Sequence, residues 1–213
     1  MVYVEKLAGK IREKLRHPPG GKQDLSRPAQ VIGVAGTEKG VGVTHFCLMA
    51  ANYLTCVAGE QTAVLEWNED GDFIKLEKIC KGQIEEKKPY HILGTSYYKN
   101  ADMEELSQCL ERYSYILIDF GVIGVSNRTE FQCCKKRVLV GSFSEWQWET
   151  FWEFLKQEGI SGRKWIYAAA FGSRETRKEV RRKLGIPVLE IPFSADAFSV
   201  TPGTLEFFQK FFS

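Results

Sequence analysis

Five stretches of this chain are apolar at nearly every position: VIGVAG (31–36), TAVLEW (62–67), YILIDFG (115–121), RVLVGSF (137–143) and KWIYAAAF (164–171). A strand with one wet face alternates apolar and polar residues, so a strand apolar throughout must be covered on both faces. Segments of helical spacing lie between these strands, at 43–57, 73–80, 102–113, 145–157 and 173–185, with a last one at 201–212 after Thr201-Pro202. Shorter strands are expected at HILGTS (91–96) and PVLEI (187–191). Strands buried on both faces and alternating with helices predict an α/β fold, a doubly wound and mainly parallel sheet. Phe46, Met49, Ala50, Tyr53 and Leu54 should face inward from the first of these helices. Met103, Leu106 and Leu110 should do so from 102–113, and Trp148, Phe151, Trp152 and Leu155 from 145–157. Trp146 and Phe154 fall off that last face and are candidates for an interface.

The sheet pattern begins at Val31. Residues 1–20 read as a separate basic amphipathic helix: Val4, Leu7, Ile11 and Leu15 repeat at helical spacing, beside Lys6, Lys10, Arg12, Lys14 and Arg16. His17-Pro18-Pro19-Gly20-Gly21 breaks it and opens a polar linker over 21–30, which leaves 31–213 as the domain. Such a helix can fold back over the sheet, dock in a protein partner's groove, with Leu7, Ile11 and Leu15 as contacts, or lie on an anionic membrane surface. No secretory signal is expected, because the first residues lack an unbroken apolar stretch and a small-residue cleavage site. Six cysteines without a CxxC pair point to free thiols in a reducing, cytoplasmic compartment and away from a zinc site. With 29 Lys and Arg against 27 Asp and Glu, net charge does not demand nucleic acid. One local patch is dense, however: Arg174, Arg177, Lys178, Arg181, Arg182 and Lys183. It is a solvated face or a contact for DNA or an acidic partner.

Open sheets of this class bind ligands beyond the carboxyl ends of their strands. There the first strand runs into Gly36-Thr37-Glu38-Lys39-Gly40-Val41-Gly42-Val43-Thr44, a glycine-bearing loop that opens a helix. Loop N–H groups and a helix N-terminus can cradle anionic oxygens, so these nine residues are the candidate nucleotide-binding segment. Asp119 ends the strand YILID, where a carboxylate can hold magnesium together with Thr44.

These features resemble the ParA/MinD-type deviant P-loop ATPases, whose loop reads K-G-G-x-G-K-T and whose Walker B strand ends in Asp. VLVGSFSE and PVLEIPFSAD add weaker matches late in the chain. The resemblance implies a P-loop NTPase-like fold, ATP and magnesium as cofactors, and dimerisation. Gly40, Gly42 and Thr44 match the loop glycines and the magnesium-binding Thr, and Asp119 matches the Walker B Asp. Two matches fail. Val43 stands where the loop Lys belongs, and Glu38 stands where the deviant Lys belongs, with Lys39 one residue away. Glu66 lies near the family's water-orienting acids; with Asp119 it would be the catalytic pair in an active enzyme. At about 4 Å and an effective dielectric near 20, two unit charges interact by roughly 4 kcal/mol, so losing three charge units weakens phosphate binding by orders of magnitude. The expected function is a degenerate ParA/MinD-like protein acting as a localisation or assembly scaffold, with a TadZ-like role in pilus assembly as one setting. The alternatives are a working ATPase switch and a DNA-binding module built on 174–183.

Overall fold

A computed structural model describes residues 28–85, 88–159 and 165–213. The expected helix at 1–20 and most of its linker, with Leu7, Ile11 and Leu15, lie outside the described residues. The elements are β1 (Gln30–Gly36), α1 (Val43–Cys56), β2 (Thr62–Glu66), α2 (Asp72–Lys81), β3 (Tyr90–Ile92), β4 (Thr95–Tyr98), α3 (Met103–Leu110), β5 (Tyr115–Val122), α4 (Arg128–Cys133), β6 (Lys136–Gly141), α5 (Trp148–Gly159), β7 (Ile166–Ala169), α6 (Arg174–Leu184), β8 (Val188–Glu190) and α7 (Pro202–Phe212).

These strands form one sheet in the order β3-β4-β2-β5-β1-β6-β7-β8. Every neighbouring pair is parallel except β3 with β4. The alternation of side chains along each strand splits the core in two. Ile32, Val34 and Leu117 face α1, α2 and α7, while Ala35, Ile116 and Ile118 face α3, α4, α5 and α6. This is the doubly wound arrangement expected from the apolar strands. On the first face, Phe46 of α1 meets Phe208 and Phe211 of α7 edge-on at 5.6 and 5.8 Å, and Tyr53 stacks on Phe212 at 5.8 Å. Such pairs add about 0.5–1.5 kcal/mol each beyond the area they bury.

The structure departs from the sequence reading in four places. The 91–96 stretch is not one strand but a hairpin, turned by Leu93 and Gly94 at φ 50° and 86°. Two positive φ values in a two-residue loop match the right-handed twist of the flanking strands. The short α4 was not foreseen, because six residues carry too little periodicity to read. In α3 the buried residue is Cys109, while Met103 and Leu110 are exposed. In α5, Phe151 and Leu155 are buried, but Trp148 is 40% exposed and Phe154 instead stacks on Trp165 at 6.1 Å.

The winding reverses at β1, which pairs with β5 on one side and β6 on the other. The crevice for a ligand therefore opens where β1 ends, at Gly36.

Candidate functional site

The loop after β1 is anchored at its start by two backbone bonds: Thr37 N–H donates to the Val140 carbonyl (3.1 Å), and the Gly36 carbonyl accepts from Ile123 N–H (2.8 Å). Gly40 and Gly42 sit at φ 82° and 99°, a left-handed conformation that glycine adopts without strain. Gly42 is the N-cap of α1 and provides no capping side chain. The first N–H groups of α1 therefore remain as donors at the end of the loop, which is the arrangement an anion needs.

Inside this backbone the side chains are unlike those of a phosphate site. Val41 and Val43 are buried in the α1 core cluster. Their Cγ2 atoms both lie 2.7 Å from where a Cβ on Gly36 would stand, so the loop is closed tightly over that glycine. Isopropyl groups thus fill the space beneath the loop.

A cleft of about 450 Å³ adjoins the loop and is lined by Glu38, Lys39, Thr44, His45, Asp70, Asp72, Lys75 and Gly121, among others. Both lysines in it are engaged: Lys39 pairs with Asp70 (2.5 Å) and Lys75 with Asp72 (2.7 Å). Glu38 adds an unbalanced carboxylate whose Oε1 is buried without a hydrogen-bond partner among the described residues. Sequence reasoning missed Asp70, Asp72 and Lys75, although their position just after β2 places them at the carboxyl end of the sheet.

Beside the loop the structure brings Thr44 and Asp119 together. Thr44 Oγ1 donates to Asp119 Oδ2 at 2.7 Å. Asp119 Oδ1 accepts from Gly121 N–H at 2.9 Å and from the Asn68 amide at 3.2 Å. Asn68 also bonds the Asp119 carbonyl at 3.0 Å, so it fixes the end of β5. Burial pushes the Asp119 carboxyl up to about 6, despite the opposing pull of the Thr44 and Gly121 bonds. Among the described residues no group of three His, Cys, Asp or Glu is placed to hold a metal ion. Magnesium, however, often takes only one or two protein ligands beside substrate phosphates, and Thr44 with Asp119 fits that requirement.

Glu66 is fully buried and points to backbone rather than to the cleft. Its Oε1 accepts from Phe73 N–H (3.0 Å) and its Oε2 from Asn100 N–H (3.4 Å). It thereby serves the first turn of α2, whose N-cap Gly71 has no side chain to offer. Burial raises its carboxyl as well.

The basic helix α6 stands apart from this cleft. Arg174 and Arg181 are exposed, but Arg177 is only 16% exposed, pairs with Glu190 and donates to the Gly172 carbonyl. Arg177 is thus a bolt between α6 and β8. Replacing it with Ala should cost about 1 kcal/mol, because Glu190 is largely solvated. The same change at Arg174 or Arg181 should stay within about 0.5 kcal/mol, and thermal melts would separate the two outcomes.

No protein-family model matches the chain, and no curated protein matches it in sequence. Solved structures do. A ParA family ATPase from Chlorobium tepidum TLS is 16% identical, with 78% of this chain and 84% of that one covered and a TM-score of 0.53. The MinC:MinD cell division protein complex of Aquifex aeolicus gives 16% identity, 78% and 82% coverage and a TM-score of 0.54. A plasmid partition protein from Borrelia burgdorferi B31 bound to AMPPNP gives 13%, 87% and 97%, with a TM-score of 0.57. This chain therefore has the P-loop fold shared by ParA and MinD ATPases. No helix among the described residues is long and apolar enough to cross a membrane.

Proposed function

We propose that this chain is a ParA/MinD-like P-loop protein with a degenerate nucleotide site, a localisation or assembly scaffold that does not turn over ATP. The observation that carries the reading is Val43, buried beneath the loop in the place of the phosphate-binding Lys. Around it, Glu38, Asp70 and Asp72 outnumber Lys39 and Lys75 in the cleft, and an ATP polyphosphate would enter against that balance. Phosphoryl transfer also needs positive charge at the transferring group, and among the described residues no unpaired Lys or Arg lines the cleft.

In this reading the loop amides would meet a phosphate only weakly, and Thr44 with Asp119 would hold magnesium if a nucleotide brought it. Magnesium would supply charge neutralisation between phosphates; the protein would supply only backbone donors and position. A scaffold role leaves recruitment to protein contacts, for which residues 1–20 are the candidate partner-binding segment. Without a cation reaching across from a second copy, any homodimer would form independently of nucleotide.

One observation favours the rival reading of an ATP-dependent switch: the Thr44–Asp119 pair is intact. Calorimetric titration of the full chain with magnesium–ATP decides between them. The expected dissociation constant is on the order of millimolar or weaker, with phosphate release at background. Micromolar binding, with turnover lost on Asp119→Ala, would establish the switch instead.

A further inference from the structure

Helix α6 carries a surface that the P-loop cleft does not use. Arg174, Lys178, Arg181 and Arg182 are all exposed and stand at i, i+4, i+7 and i+8, which places them within about 100° of arc. Two contacts orient this stripe. On one side of it Arg177 pairs with Glu190 of β8. On the other, Lys183 reaches toward α5, its Nζ 5.7 Å from the centre of the Trp152 ring. The stripe therefore faces outward along the β8 side of the sheet, and β8 is the last strand of that sheet among the described residues.

Its neighbours set its charge. Glu179 pairs with Lys183 and Glu190 with Arg177, so each is offset by a cation outside the stripe. Hydrogen bonds from its own backbone N–H and from Ser173 hold Glu175 below the usual carboxylate range, with help from Lys178 and Arg174. Four cations thus stand against one carboxylate, and none of the four has an ion-pair partner among the described residues. At the N-terminal end of the stripe the surface turns apolar. Phe171 (50% exposed) follows β7, and Phe193 (78% exposed) follows β8. These strands are parallel neighbours, with Ala169 opposite Glu190, so both rings stand beyond the same edge.

The order of these features selects the occupant. A nucleic-acid duplex or an anionic lipid surface is negative throughout. It would meet the stripe well, but it would also lay phosphates on Phe171 and Phe193, near Glu190 and Asp196. A protein segment varies its side chains along its length. Carboxylates over two helical turns match the stripe, which spans about 12 Å from Arg174 to Arg182 at 1.5 Å per residue. Apolar side chains at the end of such a segment cover the two rings. Three of the four cations are arginines, which hold carboxylates through two parallel hydrogen bonds.

We propose that α6 and the two phenylalanines form a docking surface for an acidic, partly apolar segment of a partner protein. Arg177 is not part of it, because Glu190 already holds it. The proposal names the kind of partner a scaffold would recruit and rests on the scaffold reading for that role. Binding itself does not, since the surface lies outside the cleft and nucleotide affinity is measured separately.

The probe is a fluorescein-labelled, alanine-based helical peptide with Glu at i, i+4, i+7 and i+8 and leucines in the turn at either end. Fluorescence anisotropy reads its binding to the full chain. The expected dissociation constant is on the order of 100 μM or tighter, and magnesium–ATP should not change it. Arg174→Glu/Lys178→Glu/Arg181→Glu should weaken binding by about tenfold or more, and the milder triple substitution to Gln by about threefold. Lys156→Glu/Lys210→Glu, on other helices, should leave it within about twofold of the wild type. Phe193→Ser should weaken binding by about threefold, and that loss should vanish with a peptide whose leucines are alanines. Thermal melts check that each variant is folded. Binding weaker than about millimolar, equal losses in the Lys156/Lys210 control, or a Phe193 effect that ignores the leucines would each overturn the proposal. Tighter binding of a duplex oligonucleotide or of phosphatidylglycerol vesicles, lost in the triple Glu variant, would overturn it too, by assigning the stripe to phosphate.

Discussion

Installing Glu38→Lys together with Val43→Lys should tighten magnesium–ATP binding by at least about a hundredfold, read by calorimetry, since each tenfold step needs only about 1.4 kcal/mol. The two changes reverse three units of charge beside the phosphates. The unscreened interaction of one such unit, roughly 4 kcal/mol at 4 Å, leaves room for most of it to be lost to solvent. The backbone is already in place: Gly40 and Gly42 hold the left-handed turns, and α1 presents its first N–H groups. The lysine introduced at position 43 leaves the Val41–Gly36 contact and can lay its stem along apolar wall with the ammonium outside. Glu38→Lys alone should deliver part of the gain, because it acts on the charge balance without touching the buried Val43. Unchanged affinity in a double variant that melts normally would mean that the loop amides do not form an anion cradle. The degenerate reading would then need another basis.

Glu38 and Val43 could be singled out from the sequence because the glycines around them are legible. Positive φ at Gly40 and Gly42 leaves few residue choices, and a glycine-bearing loop between an apolar strand and a helix is a local pattern. The same locality explains the long strands: β1, β2, β5, β6 and β7 are buried on both faces, so their sequences are apolar without interruption. What escaped the sequence depends on distance. Lys39 meets Asp70 only because β2 and β1 both flank β5, which brings residues 31 apart in the chain to one cleft. Glu66, readable as a water-orienting acid from its position at the end of β2, proves to be held by the amides of Phe73 and Asn100. Nothing near Glu66 in the sequence announces that Gly71 leaves α2 uncapped. The β3–β4 hairpin was missed for a simpler reason. Strands of three and four residues show no period, and its turn uses Leu93 rather than the Asn or Asp that would have marked it.

Asp119 bears a cost that a purely structural residue would not. Its carboxyl is raised from 3.8 to about 6, chiefly by burial, so the folded domain holds this proton more tightly than the unfolded chain. Below about pH 4 both states are protonated and the group is neutral in the balance; as pH rises through about 6 the folded state must ionise a buried acid and stability is lost. Asp119→Asn removes that charge and keeps the contacts. The new Oδ1 accepts from Gly121 N–H and the Asn68 amide, while the new Nδ2 donates to Thr44 Oγ1, which can accept in place of donating. In magnesium-free buffer at pH 8 the variant should therefore be more stable by about 2–3 kcal/mol, at about 1.36 kcal/mol per pKa unit. For a domain of this size that is a melting temperature higher by roughly 5–10 °C. The gain should shrink as pH falls from 7 and vanish near 4, and thermal melts across that range would trace it. A variant less stable than the wild type at pH 8, or a gain that does not vary with pH, would mean that Asp119 is stabilised by its three donors rather than strained by burial. The expected result shows instead an acid retained against stability, and the Thr44–Asp119 pair would then be kept for a ligand it meets.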